Sequence, residues 1–237
     1  MTRKLLISTG ATFAVTAVFF FIGLWDRDGL YDQLLSEDGP VEWIGALLIL
    51  ATCVSVLGLS IRLFKPPRRD VLLACGLLLF AALLFIAFME EISYGQRLFG
   101  WESSEFFVEH SDQSETNLHN VMQAYLKEIG SPVYLTRHFL AIGMGFYGLV
   151  LPGLLWLIGR QPKRGSVADM LVPPLYLASG FVLGCFFLWF DWPTGIEEEL
   201  GETYMIVLIL VMSIRAWSYR AVVPTQICQD SDQAVAA

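Results

Sequence analysis

Cysteine and histidine are scarce in this chain, with four of the first and three of the second in 237 residues. Cys53, Cys75 and Cys185 fall inside apolar stretches and Cys228 near the end, so no outer loop can be stapled and no cysteine-rich zinc site built. Charge is scarce too. Lys and Arg number 15 against 23 Asp and Glu, a net charge of -8 that makes nucleic acid an unsuitable partner. No polar stretch is long enough to form a second domain, and no internal repeat is visible. What is abundant is apolar. With 55% hydrophobic residues and a mean hydropathy of +0.58, the chain is too apolar for a soluble fold and predicts one membrane domain over residues 1–220 with a short tail over 221–237.

Six apolar stretches, at about residues 4–25, 41–63, 71–89, 134–158, 170–190 and 200–219, each approach the ~20 residues that cross a ~30 Å hydrocarbon layer. The expected fold class is all-α: a polytopic membrane protein with six transmembrane helices. The first stretch opens with Arg3 and Lys4 like a secretory signal but ends in Leu24-Trp25-Asp26 with no small-x-small cleavage site, and reads as a retained signal anchor. Arg3, Lys4, Arg62, Lys65, Arg68, Arg69, Arg160, Lys163, Arg164, Arg215 and Arg220 fall on one side of these spans. Only Arg27, Arg97, Lys127 and Arg137 fall on the other, together with most of the acids. The positive-inside rule then predicts both termini on the cytoplasmic side and the acidic side extracytoplasmic. The composition after Arg220 suggests a disordered cytoplasmic tail.

The connection from Glu90 to Pro132 is long, and long connections are usually functional or structured. Within it Leu118, Val121, Met122, Tyr125, Leu126 and Ile129 recur as one helical face, with Asp112 and Glu115 as a capping-box start and Gly130 and Pro132 as a stop. This segment predicts an extracytoplasmic amphipathic helix lying on the membrane surface. Gly143, Gly145 and Gly148 match G-x-G-x-x-G but sit inside a span with no strand before them, so they read as helix-packing positions, as do Gly180 and Gly184.

The polar residues at the acidic ends of spans two to six converge on one rim. Glu197, Glu198 and Glu199, with Thr194 as a cap, are expected to be mostly solvated acids at a helix N-terminus. Glu202 lies deeper. Counting back from Arg215 at ~1.5 Å per residue places it inside the hydrocarbon layer, where a carboxylate needs a partner and is a functional candidate. Glu90 and Glu91 end the third span, with Arg97 two turns on, and two adjacent carboxylates suit general acid and base work. Glu115 and His119, four apart, are expected on one helix flank and could hold a metal. The candidates are therefore Glu90, Glu91, Arg97 and Glu202 for catalysis, and Glu91, Glu115 and His119 as ligands of a divalent metal ion. His110 and His138 complete the imidazoles from which a zinc site could be drawn.

The string Glu90-Glu91-Ile92-Ser93-Tyr94-Gly95-Gln96-Arg97, followed by Glu115-Thr116-Asn117-Leu118-His119-Asn120, resembles a family of uncharacterised bacterial multi-pass membrane proteins that carry EExSWGQR and ExNLHN segments in one outward loop. Tyr94 stands where that family usually has tryptophan. The resemblance implies a bacterial cytoplasmic (inner) membrane location and a site shared by these polar residues, and it implies no particular activity. A second comparison is with glutamate-type intramembrane proteases of the CAAX-processing class, which carry EExxxR and FxxxH. Here Arg97 follows the glutamates at a longer spacing, Phe106 to His110 lies in a polar loop, and no HxxxN follows.

Three readings stay open on the sequence. One is a membrane-embedded enzyme, metal-dependent or not, acting on a lipid or lipid-linked substrate. Another is a non-enzymatic cation carrier, channel or assembly factor. The last is a hydrogen-bonded string that only knits the outer face of the bundle.

Overall fold

The computed structural model describes all residues except 1, 37–38, 66–69, 112, 131–134, 164–165, 191–195 and 236–237. Asp112, Pro132, Asp191 and Thr194 therefore lie outside the described residues. The described residues form helices and no strand. Six of these helices are long and apolar enough to cross a membrane, so the chain is an all-α polytopic membrane protein.

Helix α1 spans Thr2–Trp25, α2 Pro40–Phe64 and α3 Val71–Glu91. The surface helix α4 spans Leu118–Glu128. Helix α5 is built from Leu135–Gly145, a wider π turn over Phe146–Val150, and Leu151–Leu157. Pro152 lacks an N–H, and its ring crowds the carbonyl of Gly148, which is why the turn just before it opens to π geometry. The fifth span begins with the short helix Val167–Leu171, breaks at Pro173 and Pro174, and continues as α6, Ala178–Phe190. The break follows from the missing proline donors. Helix α7 starts at Glu198, and its helical backbone runs to Val235, through the segment whose composition suggested a disordered tail. No glycine follows Arg220 to supply a left-handed stop.

Packing runs in an arc, α3 on α2, α2 on α7, α7 on α6 and α6 on α5, with α1 outside against α6. Helices α3 and α5 are the free ends of the arc and are not packed closely on each other. Small polar groups join neighbours within the apolar bundle. The Ser60 hydroxyl donates to the Ala74 carbonyl (2.7 Å), joining α2 to α3, and Ser213 donates to the Ser55 hydroxyl (2.9 Å), joining α7 to α2. Such contacts compensate for the missing hydrophobic drive between helices in lipid. The outer surface is apolar, with side chains such as Leu24 and Leu72 left 79% and 86% exposed, as a lipid-facing surface requires.

Of the three spaced glycines in α5, Gly148 is the one that packing demands. A Cβ there would lie 2.1 Å from the Phe181 ring, whereas Gly143 has nothing within 4 Å. Gly184 in α6 is also closely approached, but by the flexible end of the Met205 side chain of α7, 2.7 Å from where its Cβ would lie.

The two ends of the bundle carry opposite chemistry. At one, Arg215 pairs with Asp169 at 2.7 Å, and Arg62 lies over the Trp217 ring. At the other gather the C-terminus of α3, the N-terminus of α7 and the surface helix α4.

Candidate functional site

Helix α3 ends in an unusual turn. Ser93, Tyr94 and Gly95 have successive φ values of 46°, 53° and 89°, a left-handed run that only the glycine adopts without cost. This turn folds the chain back over Glu90 and places the Tyr94 hydroxyl 2.6 Å from Glu90 Oε1, to which it donates. The other carboxylate oxygen, Oε2, accepts the backbone N–H of His119 at 3.1 Å, and the Glu90 carbonyl accepts from Asn117 Nδ2 at 2.9 Å. One residue thus anchors the N-terminus of α4 to the end of α3, and the acid suits the positive end of the helix dipole.

Helix α4 starts later than the sequence spacing predicts. Its cap is Asn117, whose side-chain oxygen accepts the N–H of Asn120 at 3.1 Å, and Gly130, at φ 65°, follows its C-terminal end as expected. Glu115 therefore precedes the helix and does not share a flank with His119; it accepts a short hydrogen bond from Ser93. Gln96 and Asn120 also serve the loop. Gln96 Oε1 accepts from Ser103 (2.9 Å) and from the N–H of Thr116 (3.0 Å), while Asn120 donates to Gln113 (2.6 Å). Arg97 belongs to the single turn Gln96–Phe99, and its side chain lies outside what the structure describes.

Glu90, Glu91, His119 and Glu202 all line one cavity of about 1170 Å³, larger than the ~300–1,000 Å³ of most ligand pockets. It occupies the hollow of the arc between α3, α5 and α7, with Leu118, His119 and Met122 of α4 across its acidic end. Below these groups the walls are almost wholly apolar, down to Leu73, Met170 and Ala216 at the opposite end. Among the described residues, the charged groups that act on Glu202 are the carboxylates of Glu91, Glu199, Glu198 and Glu42.

Three of the sequence-predicted catalytic residues, Glu90, Glu91 and Glu202, meet at the cavity, together with the predicted ligand His119. The predicted set of Glu91, Glu115 and His119 is not gathered into one cluster: among the described residues no three His, Cys, Asp or Glu side chains come together as metal ligands. Nor do the histidines converge. His110 is exposed, stacked on Phe106 and bonded to its carbonyl, and His138 packs edge-on against Trp189. The acids expected to be solvated divide. Glu197 is fully buried and accepts a hydrogen bond from the Tyr31 hydroxyl at 2.8 Å, because the π turn Arg27–Tyr31 after α1 brings that ring under the start of α7. Glu198 pairs with Arg137 at 2.7 Å.

No family model, curated protein or solved structure matches the chain.

Asn117 stands in the string that resembles the outward-loop family, but its part as the cap of α4 was not read from the sequence, nor was the contact of Tyr31 with Glu197. Asn117 had a signal, a cap residue just before the apolar face of α4. Tyr31 had none, since its partner Glu197 lies far along the chain.

The hydrogen bond to Glu90, with burial and the nearby negative charge adding to it, pushes the Tyr94 hydroxyl up to about 12. Its folded value is above the unfolded value near 10, so the stabilisation is complete below pH ~10 and is lost as pH rises through about 12. Ultraviolet titration should show one fewer late tyrosinate in Tyr94→Phe than in the wild type. A variant that instead loses a tyrosine titrating near ~10 would remove Glu90 as the partner of this hydroxyl.

Proposed function

We propose that this protein is a membrane-embedded enzyme acting on a lipid or lipid-linked substrate, with its site on the extracytoplasmic side of a bacterial inner membrane and both termini in the cytoplasm. The observation that supports this most is the cavity: it is apolar along its length, and its carboxylates and imidazole stand at one end. A lipid chain fits the walls, and the bond to be changed then lies beside Glu91 and Glu202. Two carboxylates on facing helices can take and return a proton in successive steps. Glu90, with both oxygens engaged, holds the roof in place. The gap between α3 and α5 supplies a sideways entry from the bilayer.

The test is to incubate the purified protein with an extract of bacterial membrane lipids and follow composition by mass spectrometry. The wild type should convert one lipid class, and Glu91→Gln and Glu202→Gln should lower the rate by roughly 10²–10⁴-fold, the usual contribution of a general acid or base, with insertion unchanged. No lipid converted by the wild type, or equal rates in the variants, overturns the reading. If a divalent ion takes part, Glu91 and His119 are the donors at the cavity, and elemental analysis should find metal in the wild type that is lost in Glu91→Gln and His119→Ala.

The crowding of Glu42, Glu91, Glu198 and Glu199 around Glu202 favours one alternative, a cation path. Ion flux in liposomes that disappears in Glu202→Gln, with no lipid converted, would put a carrier in place of the enzyme.

A further inference from the structure

We infer that the cavity accepts an amphiphile with a long apolar chain and an amine-bearing head group, and that its depth selects chain length; this rests on the lipid-site reading above. The first observation is depth. Glu202 and Ala216 both line the cavity, and the fourteen-residue step between them along α7 corresponds to ~21 Å. Glu91 and Gly76, on α3, are a similar ~22 Å apart. One leaflet accounts for only about 15 Å of a ~30 Å hydrocarbon layer. A chain whose head lies beside Glu202 and which reaches the floor therefore passes the midplane, where an ordinary acyl chain ends.

The second observation is the wall. Five of the chain's seven methionines, Met122, Met144, Met170, Met205 and Met212, line this one cavity. Methionine is unbranched and polarisable, and such walls mould themselves around a flexible apolar guest. A rigid polycyclic guest has no need of them.

The third observation is charge. No Lys or Arg lines the cavity among the described residues, whereas Glu90, Glu91 and Glu202 do. The nearby Arg137 is engaged by Glu198. Even with Arg97 counted, the acids Glu42, Glu90, Glu91, Glu198, Glu199 and Glu202 outnumber the bases at this end. A phosphate head group would be repelled here, and an ammonium group would be drawn in and could donate hydrogen bonds to the carboxylates.

Gly76 makes the depth testable. It lines the deep part of the cavity, and a Cβ there would meet nothing within 4 Å, so a larger side chain can start from this position without a backbone clash. Binding of a long-chain alkylamine, an alkylamine of half that length and a long-chain alkyl phosphate should be measured on the full-length protein in detergent. The long amine should bind at least ~10-fold more tightly than either other probe, a difference of about 1.4 kcal/mol. Gly76→Phe should abolish the preference for the long amine over the short one while the short amine still binds, which also shows that the variant is folded. Glu91→Gln with Glu202→Gln should remove the preference for amine over phosphate. Equal or tighter binding of the phosphate, or a long-chain advantage that survives Gly76→Phe, overturns the inference. If lipid conversion persists alongside either of those results, the enzyme reading stands without it; if no probe binds and no lipid is converted, both fail.

Discussion

Replacing Glu90 by alanine should release the surface helix α4 from the bundle while leaving the six long helices in place. The wild-type carboxylate accepts from the Tyr94 hydroxyl at one oxygen and from the His119 N–H at the other. Hydrogen bonds to a charged group contribute about 1.5–3 kcal/mol each, and the two share a partner, so their loss is not simply additive. The bond from Asn117 goes to the Glu90 backbone carbonyl and survives the substitution. Amide hydrogen exchange at residues 118–122 should therefore accelerate by at least ~10-fold, equivalent to about 1.4 kcal/mol. Exchange in α2 and the middle of α3 should not change. Glu90→Gln should be intermediate, because one amide oxygen remains but the –NH2 cannot accept from His119. Lipid conversion should fall in both variants, since Leu118, His119 and Met122 of α4 close the acidic end of the cavity. Unchanged exchange at 118–122 in Glu90→Ala would show that α4 is held by its apolar face and that Glu90 has another role.

Gly148→Leu should be the most damaging single change in the membrane core. Phe181 is fully buried, and its ring lies where the first carbon of any side chain at position 148 would go. The ring cannot swing away, because it is packed in the cluster with Ala141, Leu188, Met205 and Leu208 that joins α5, α6 and α7. Overpacking of this kind costs about 1–3 kcal/mol, and here it also pushes apart the helices that shape one side of the cavity. The expected outcome is a lower unfolding temperature in detergent and weaker retention of lipid. Gly143→Ala, on the same helix with open space around it, should have no such effect. Phe181→Leu added to Gly148→Ala should recover part of what Gly148→Ala alone loses, with a coupling of roughly 0.5–3 kcal/mol between the two sites. A Gly148→Leu protein as stable as the wild type would mean that α5 can shift outward into lipid at little cost.

The spans and the charge asymmetry were legible because each depends on local composition. A run of apolar residues near the bilayer thickness leaves its backbone no satisfied form but a helix, whatever its neighbours are. The extent of α3, Val71–Glu91, differs from the sequence reading by only the two glutamates at its end. The amphipathic face of α4 was equally legible, because a period of 3.6 is written in consecutive residues. Its start was not. The cap fell to Asn117 because a turn at Ser114, with φ 56°, and the bond from Ser93 to Glu115 take residues before 117 out of the helix.

The site was half legible for the same reason. Composition alone shows that Glu90, Glu91, His119 and Glu202 lie near one end of the spans, since depth follows from counting residues along a helix. Which of them face one another depends on helix order and rotation, and neither leaves a local trace. The arc that puts α7 opposite the gap between α3 and α5 includes the close approach of α5 to α6 at Gly148. It alone turns separate polar residues into the head of one apolar cavity. Glu197 makes the same point from the other side: three consecutive glutamates look alike in the sequence, yet Tyr31, 166 residues away, takes one of them into the interior. Composition and periodicity determine which segments enter the membrane and where their charges lie, because those are properties of single helices in a solvent. Only the packing of helices against one another decides which charges share a cavity, because that is a property of pairs of surfaces that no single stretch of sequence contains.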